Sequence, residues 1–198
     1  MQSTLFQNED LGPAALKGKE FETLLCERHK QLKSLRIAMV DRCGVKAARM
    51  GDQTILHPSY PDFEGVVSRG YQFKYDAKVC SKSSFSLYEY WYPTQEDDKQ
   101  KPGKLHRQLK HMMERSEFGV KCFFLIHWNA RALKTKTVDQ ATWAFPVHHE
   151  MAFWKSFLCL EVRQITREDC ERLGKRVYWN TLTDRQRKKL PDLLAALR

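Results

Sequence analysis

Two carboxylates and a lysine occur in neighbouring strand-like segments, at positions where they could act together. Asp62 follows Pro61 at the start of one segment, and Asp76 precedes Lys78 by two residues in the next. Because side chains alternate along a strand, Asp76 and Lys78 share one face, with Cα atoms ~6.5–7 Å apart. Mg²⁺ prefers carboxylate oxygens as ligands, and a neighbouring ammonium keeps both carboxylates ionised. The pattern predicts a site for metal-assisted phosphodiester hydrolysis, in which the lysine orients a water molecule or stabilises the phosphate.

The segments that carry these residues are predicted to form a β-hairpin. Residues 62–67 and 71–79 are joined by a short turn around Gly70, and strands joined in this way pair antiparallel. This pairing would bring Asp62, at the start of one strand, beside Asp76, near the end of the other. The second strand has Tyr71, Phe73, Tyr75, Ala77 and Val79 on one face, and Gln72, Lys74, Asp76 and Lys78 on the other. A plain solvated hairpin also has one polar face, so the Asp-x-Lys spacing alone leaves that alternative open.

A helix near the start of the chain could add a third carboxylate. Apolar residues recur at helical spacing across residues 13–35, and Pro13 fits near a helix start. Gly18 and Glu22 are four residues apart and therefore share a helix face. Gly18 would let the helix approach the sheet or DNA closely, which leaves Glu22 to reach the metal ion. The open alternative is that Glu22 is an exposed helix acid.

Residues 41–60 are predicted to form a basic projection. Gly51 and Asp52 could turn a hairpin, with residues 54–56 as its return arm. Three cations lie among the small and polar residues of this segment: Arg42, Lys46 and Arg49.

The remaining segments are predicted to alternate helices and strands. Residues 86–103 contain an aromatic cluster and a polar stretch punctuated by prolines, which indicates a loop or flap. Thr166 and Asp169 form the pattern of a capping box at the start of a short helix, with Gly174 just past its end. Further helices are predicted at residues 104–118 and 150–160, strands at 37–40, 120–128 and 142–147, and a basic tail at 185–189, followed by Pro191 and a short helical segment.

Length and charge bound the class of protein. With 198 residues, 42% of them hydrophobic and 29% charged, the chain suits one folded domain of ordinary size without a membrane-spanning helix. The net charge of +10 favours nucleic acid as a partner, although a merely soluble basic protein would have the same charge. Because the sequence has no recognisable signal peptide, we expect a cytoplasmic location and reduced cysteines; if the protein is encoded by a phage, the cytoplasm is that of the host.

No two of the six cysteines form a C-x-x-C pair, which disfavours a zinc site. The sequence contains neither a P-loop nor a G-x-S-x-G pattern, so ATP-driven chemistry and serine hydrolysis are not expected.

The carboxylate and lysine positions, taken in order, resemble a known nuclease pattern. Gly18-x-x-x-Glu22, Pro61-Asp62 and Asp76-Ala77-Lys78 resemble the PD-(D/E)XK nuclease superfamily. More specifically, the chain is similar to the RecU family of Holliday-junction resolvases from Gram-positive bacteria and their phages. The segments that carry this closer resemblance occur in family order over most of the chain, at residues 62–66, 76–85, 106–112, 122–126 and 165–169.

The resemblance implies a fold, a cofactor and a substrate. It implies a restriction-endonuclease-like α/β core, with a mixed sheet flanked by helices and a stalk at residues 41–60 that enters the junction centre. It also implies a homodimer that nicks four-way DNA junctions symmetrically, with one or two Mg²⁺ or Mn²⁺ ions per site. Glu22, Asp62 and Asp76 would hold the metal and Lys78 would act on the water, with support from Gln108 and Gly18. Residues expected to contact DNA are Arg42, Lys46, Arg49, Lys82, Ser83, Ser84, Arg107 and Lys110.

The chain departs from the family pattern in three places. Many relatives have a glutamate where this chain has Asp76, residues 87–104 are longer than their counterpart, and the stalk differs in sequence. Two alternatives therefore stay open. One is another PD-(D/E)XK nuclease that acts on duplex or flap DNA, and the other is a non-catalytic DNA-binding protein of the same fold.

Overall fold

A six-stranded sheet of mixed pairing lies at the centre of the fold, with helices on both faces. The computed structural model describes residues 15–43, 46–50, 53–57, 61–68, 70–87, 104–132, 137–159, 162–181 and 189–194, without the side chains of 46–50, 53–57 and 104–107. The helices are α1 (Gly18–Ser34), α2 (Lys104–Glu117), α3 (Ala152–Leu158) and α4 (Arg167–Leu173). The strands are β1 (Ala38–Arg42), β2 (Lys46–Met50), β3 (Gln53–His57), β4 (Phe63–Val67), β5 (Gln72–Cys80), β6 (Ser84–Ser86), β7 (Lys121–Trp128), β8 (Arg131–Ala132), β9 (Thr137–Val138), β10 (Ala141–Val147), β11 (Gln164–Thr166), β12 (Lys175–Val177), β13 (Trp179–Asn180) and β14 (Leu190–Pro191).

The order of the central sheet places two parallel strands side by side in its interior. The order is β1-β4-β5-β7-β10-β12, and every neighbouring pair is antiparallel except β5 and β7. A parallel pair needs a long crossover connection, and α2 lies in the one between β5 and β7. The carboxyl ends of β5 and β7 therefore lie next to each other, at the same edge of the sheet.

The hairpin predicted from the sequence is confirmed. Strands β4 and β5 pair antiparallel, with Phe63 opposite Tyr75. Gly70, in the connecting turn, has a φ of +90°, a conformation that side chains disfavour. Gly65 in β4 leaves no room for a side chain, because a Cβ there would lie 2.6 Å from the carbonyl oxygen of Met39.

Strand β7 is covered on both faces, as its continuous apolar sequence predicted. Phe123 and Leu125 belong to the core cluster under α1, whereas Phe124 and Ile126 belong to the cluster under α2, α3 and α4. Burial of each such side chain contributes about 1.5–3 kcal/mol to stability. Both helical layers therefore depend on this one strand.

The first helix begins later than predicted. Apolar spacing suggested a start near residue 13, but α1 begins at Gly18. The Glu20 carboxylate accepts a hydrogen bond of 2.8 Å from the backbone N–H of Lys17, which caps the helix there. Just before it, the side chain of Asn129 donates to the Leu16 carbonyl at 3.0 Å and accepts from the Leu16 N–H at 2.8 Å. The backbone of Leu16 is therefore bonded to the sheet end instead of to a helical turn.

The predicted projection is a hairpin, but it is shorter than residues 41–60. Strands β2 and β3 pair only with each other, in a two-stranded sheet separate from the central one. Asp41 and Arg42 lie outside it, because they form the end of β1 and pair with Glu64 and Phe63. The side chains of β2 and β3, including Lys46 and Arg49, lie outside the described part of the structure.

Other elements follow the sequence patterns with small shifts. The capping box is confirmed: Thr166 Oγ1 accepts from the N–H of Asp169 at 3.1 Å, and an Asp169 oxygen accepts from the N–H of Thr166 at 3.0 Å. The helix predicted at residues 150–160 is the shorter α3, and the strands predicted at 37–40, 120–128 and 142–147 are β1, β7 and β10. The flap from residue 88 onward and the basic tail up to residue 188 lie outside the described residues. Among the residues described, no helix is long and apolar enough to cross a membrane.

Candidate active site

The ladder between β4 and β5 brings Asp62 and Asp76 together. Because Phe63 pairs with Tyr75, the residue before Phe63 lies opposite the residue after Tyr75. Asp62 Oδ2 accepts a hydrogen bond of 3.2 Å from the backbone N–H of Ala77. The two carboxyl groups also interact directly, since a hydrogen bond with Asp62 contributes to the pKa of Asp76. The pair is therefore positioned at the end of the β4–β5 ladder, since Asp62 directly precedes β4.

Asp76 is a fully buried carboxyl group. Its pKa is raised to about 7, because the raising effect of burial exceeds the lowering effect of the Lys78 ammonium and the neighbouring Asp62 also raises it. Its Oδ1 accepts a long hydrogen bond of 3.4 Å from the Nε2 of Gln108, on α2. The support predicted for Gln108 is therefore present in the structure. The charged form of a carboxyl group in this environment is stabilised by any cation that approaches it.

The Lys78 ammonium is the cation that contacts Asp76 in the structure. It forms an ion pair with Oδ2 of Asp76, on the face that the strand alternation predicted. The Lys78 side chain is 20% exposed, so it lies between the buried carboxylate and the solvent. Lys74, two residues before Asp76, instead forms an ion pair of 2.6 Å with Glu64. Only one of the two lysines on this stretch of β5 therefore serves the carboxylate pair.

Glu22 contacts a different partner from the one predicted. On α1 it forms an ion pair with Arg42, at the end of β1, and the Arg42 side chain is 62% exposed. Arg42 pairs with Phe63, the residue after Asp62, so this ion pair lies near the carboxylates without joining them. Within the described ranges, no three His, Cys, Asp or Glu side chains form a group that could hold a metal ion.

A buried histidine–tyrosine pair lies behind the carboxylates. The Nε2 of His29, on α1, is 2.5 Å from the Tyr75 hydroxyl, and burial lowers the pKa of His29 to about 4. Burial is also the main cause that raises the pKa of Tyr75, and the charge of Asp62 adds to it. His29 is therefore neutral near pH 7, and the pair fixes α1 against the strand that carries Asp76. Neither residue was identified from the sequence, where both fit an ordinary apolar pattern.

The residues predicted to contact DNA have varied environments. Lys82 and Ser83 are exposed just beyond β5, whereas Ser84 donates a hydrogen bond of 2.7 Å to Gln164. Lys110 lies 4.0 Å from Glu114 on the exposed face of α2. The side chain of Arg107 lies outside the described part of the chain.

Close approach at Gly18 was predicted to the sheet or to DNA; approach to the sheet is wrong, and approach to DNA stays a prediction. A Cβ at this position would have nothing within 4 Å among the described atoms. The reason is that Gly18 is the exposed first residue of α1 and precedes the residues that pack on the sheet.

Asn129 is a further residue of this region that the sequence did not indicate. Its backbone N–H donates to the carbonyl of Cys80 at 2.9 Å, and its side chain donates to the Ser81 hydroxyl at 2.8 Å. Together with its two bonds to Leu16, these contacts join the start of α1 to the carboxyl ends of β5 and β7. An asparagine directly after a buried strand is the only sequence signal for this role.

The donor set of the site fits a hard divalent cation. Asp62 and Asp76 present adjacent carboxylate oxygens, one of the two groups is fully buried, and its charge is balanced in the structure by an ammonium group. Magnesium and manganese ions favour such oxygen ligands. Compared with protein-family models and with curated proteins, the sequence matches none.

Proposed function

We propose that this protein is a DNA endonuclease of the PD-(D/E)XK type that depends on Mg²⁺ or Mn²⁺. The observation that carries the proposal is the contact of Asp62 with the buried Asp76, whose other neighbours are Lys78 and Gln108. These four side chains come from one hairpin and the following helix, and the resemblance assigns each of them to the site, which supports the proposal. The mixed sheet with a single parallel pair beside the site is compatible with a restriction-endonuclease-like core.

Each residue of the site has a definite task in this proposal. Asp62 and Asp76 would hold the metal ion, which when bound supplies a hydroxide nucleophile and neutralises charge at the phosphate. Gln108 holds Oδ1 of Asp76 and thereby orients this carboxylate. Lys78, at the boundary with solvent, donates to the attacking water or to a phosphate oxygen.

In this proposal, Glu22 becomes available to bind the metal ion when Arg42 contacts DNA. The exposed Arg42 guanidinium is in a position to exchange its carboxylate partner for a phosphate group, since both are bound through the same N–H donors. This exchange would release Glu22 to join Asp62 and Asp76 as a third carboxylate. Binding of DNA and completion of the metal site are then linked.

Four-way junctions are the proposed substrate class. In the sequence, the hairpin of β2 and β3 lies between β1 and Asp62, and the N–H of Cys43, just after β1, donates to the Asp62 carbonyl at 2.8 Å. The described residues on the two sides of the hairpin segment therefore meet next to the carboxylates, where a stalk that enters a junction would have to start. A homodimer would supply two such sites related by a twofold axis, which suits a substrate of near-twofold symmetry.

Nicking assays on matched substrates test the proposal. A synthetic four-way junction, a flap and a linear duplex are incubated with Mg²⁺, Mn²⁺, Ca²⁺ or EDTA, and the Asp76→Asn variant controls for contaminating nucleases. We expect paired symmetric nicks in the junction with Mg²⁺ or Mn²⁺ and none with Ca²⁺, which takes more ligands in looser geometry. Equal cleavage of all substrates would favour a duplex or flap nuclease. Binding without cleavage under every condition would favour a non-catalytic DNA-binding protein, and cleavage in EDTA would exclude the metal mechanism.

A further inference from the structure

A polar groove opens beyond the carboxyl ends of β5 and β7. It has a volume of about 760 Å³ and lies between the segment that follows β5, the β8–β9 hairpin and the start of α4. The residues that matter for the argument are Ser83, Ser84, Arg131, Gln164, Arg167 and Glu168. Of these, only the two serines were expected to contact DNA from the sequence.

The groove lies near the carboxyl end of β5, the strand that carries Asp76 and Lys78. Asp76, Lys78 and Cys80 alternate onto one face of the strand, and Cys80 lies ~13 Å from Asp76 at the usual rise of a strand. The Cys80 thiol is 3.4 Å from the carbonyl oxygen of Ser84. The charge of Arg131 also reaches this thiol and acts to lower its pKa. The entrance of the groove is therefore about four residues of β5 away from the buried carboxylate.

One wall of the groove carries hydrogen-bond donors. Within the described residues Arg131 forms no ion pair, and this residue of β8 is half-buried. Ser83 is exposed beside it. Gln164 accepts from Ser84 through Oε1, so its Nε2 end carries two N–H donors. This combination of a fixed cation, a hydroxyl and an amide suits the oxygens of a phosphodiester.

The opposite wall carries acids that are only partly neutralised. Arg167 lies 3.3 Å from Glu171 and donates to the Asp139 carbonyl at 2.5 Å, so its charge is engaged within that wall. The exposed Glu168 and Asp139 add negative charge on the same side. A polyanion would therefore follow the Arg131 wall and stay away from the Glu168 wall.

We propose that this groove holds the sugar–phosphate backbone of the DNA strand that is cut, with Arg131 on a phosphate a few nucleotides from the scissile one. The inference rests on the proposed function, since it takes Asp76 as the place of cleavage. With a rise of about 3.4 Å per nucleotide along the axis of a duplex, a separation of ~13 Å corresponds to at most about four nucleotides, because the winding of the strand adds to the distance between its phosphates. The groove would thus fix the direction in which the strand leaves the site.

A coupling experiment tests this contact directly. All proteins carry Asp76→Asn, so that binding is measured without cleavage, and the DNA carries single uncharged methylphosphonate linkages one to five nucleotides on either side of the cut. Against natural DNA, Arg131→Ala should weaken binding about tenfold and reduce the salt slope of the affinity by about 0.9. Lys33→Ala, which removes the same charge from the last turn of α1, should change affinity less than about twofold. Glu168→Gln should tighten binding about threefold, an opposite sign that loss of structure does not produce.

The methylphosphonate series identifies the phosphate. At one or two positions, about two to four nucleotides from the cut, DNA with the uncharged linkage should bind the protein that keeps Arg131 about tenfold more weakly than natural DNA does. The Arg131→Ala protein should bind both DNAs equally well. Losses that multiply independently at every position would overturn the proposal, as would equal effects of Arg131→Ala and Lys33→Ala. If Arg131→Ala lowers the melting temperature, Arg131→Gln replaces it. If Arg131 and the phosphate are coupled at these positions but the protein that keeps Asp76 does not nick DNA in Mg²⁺, the nuclease function alone is rejected. If that protein nicks DNA and no coupling is found, the groove proposal alone is rejected.

Discussion

Asp62 accepts a hydrogen bond of 3.2 Å from the backbone N–H of Ala77, the residue between Asp76 and Lys78. The bond crosses the β4–β5 ladder and fixes Asp62 beside Asp76 through the main chain. The β4–β5 ladder itself pairs residues 63–66 with 72–75 through backbone groups, so substitution of either carboxyl group leaves the strand pairing in place. Changes at the site should alter its chemistry far more than its fold.

The first prediction concerns Asp76. We expect Asp76→Asn to lower the cleavage rate more than about a hundredfold, because it removes a charged metal ligand, and to keep or tighten DNA binding. Single-turnover cleavage and gel-shift titration of one preparation measure both effects. Glu64→Gln is the matched control, since Glu64 is an exposed acid on β4 and should be dispensable for cleavage. Near-normal nicking by Asp76→Asn would remove Asp76 from the site.

Lys78 and Lys74 form a matched pair for the second prediction. Both lie on the same face of β5, but only Lys78 contacts Asp76, whereas Lys74 contacts Glu64. We expect Lys78→Ala to slow cleavage strongly while Mg²⁺ still binds, and Lys74→Ala to have little effect on either. Single-turnover rates and calorimetric titration of Mg²⁺ compare the two variants. Equal rates would show that Lys78 is only a surface strand residue.

The third prediction concerns the pH dependence of stability. The pKa of Asp76 is raised by burial to about 7 in the folded protein, above its value in the unfolded chain, so the folded state holds a proton that the unfolded state releases. The contribution of Asp76 to the free energy of unfolding is fully present below about pH 4 and is lost as the pH rises through 7. Without divalent ions, Asp76→Asn should therefore gain on the order of 2–4 kcal/mol relative to the parent between pH 4 and pH 8.

Denaturant unfolding at several pH values measures this difference. Adding Mg²⁺ at pH 8 should stabilise the parent and not the Asn variant, because only the parent retains both carboxylates. A difference that does not vary with pH would show that the Asp76 carboxyl group ionises normally. An equal response of both proteins to Mg²⁺ would place the metal elsewhere.

Glu22 and Arg42 support a fourth prediction. If Arg42 restrains Glu22 in the free protein, Arg42→Ala should tighten Mg²⁺ binding, and Glu22→Gln should weaken it about tenfold. Titration calorimetry on both single variants and the double variant measures the effects, and in the double variant the gain from Arg42→Ala should vanish. Unchanged affinity in Glu22→Gln would make Glu22 an exposed helix acid without a metal role.

The fifth prediction concerns the β2–β3 hairpin. Arg42 belongs to β1 and is paired, so the cations assigned to the projection are Lys46 and Arg49. Removing both should weaken binding to a four-way junction much more than to a duplex, because phosphates are crowded at the crossover. The salt slope for the junction should flatten by about 0.9 per lost contact. Equal losses on the two substrates, at an unchanged melting temperature, would indicate a general backbone contact.

The sequence predicted the elements whose pattern is long and regular. The hairpin with Asp62, Asp76 and Lys78, the buried strand β7 and the capping box at Thr166 were all evident from periodicity and spacing. The ladders β6–β11 and β13–β14 were missed, because strands of two or three residues carry no readable alternation. Contacts between distant side chains were missed for a different reason.

The Glu22–Arg42 ion pair illustrates that reason. Helical spacing placed Glu22 on a face with Gly18, but its partner is decided by how α1 lies across the sheet. The two hydrogen bonds between Asn129 and Leu16 likewise join segments far apart in the chain, and they bind Leu16 outside α1, which begins at Gly18. The packing of whole elements determines such contacts, and the spacing of residues along the sequence does not reveal that packing.

The parallel pairing of β5 with β7 has a consequence for the order in which activity arises during folding. The β4–β5 hairpin is local, so Asp62, Asp76 and Lys78 can meet early. Burial of Asp76 and its contact with Gln108 require α2 and β7 to dock, and such nonlocal parallel pairing forms slowly. A newly synthesised chain would thus hold its three charged groups together in water before the site is complete. In the proposed function, the protein would become competent only when its core is closed, so a partly folded chain would not cut DNA.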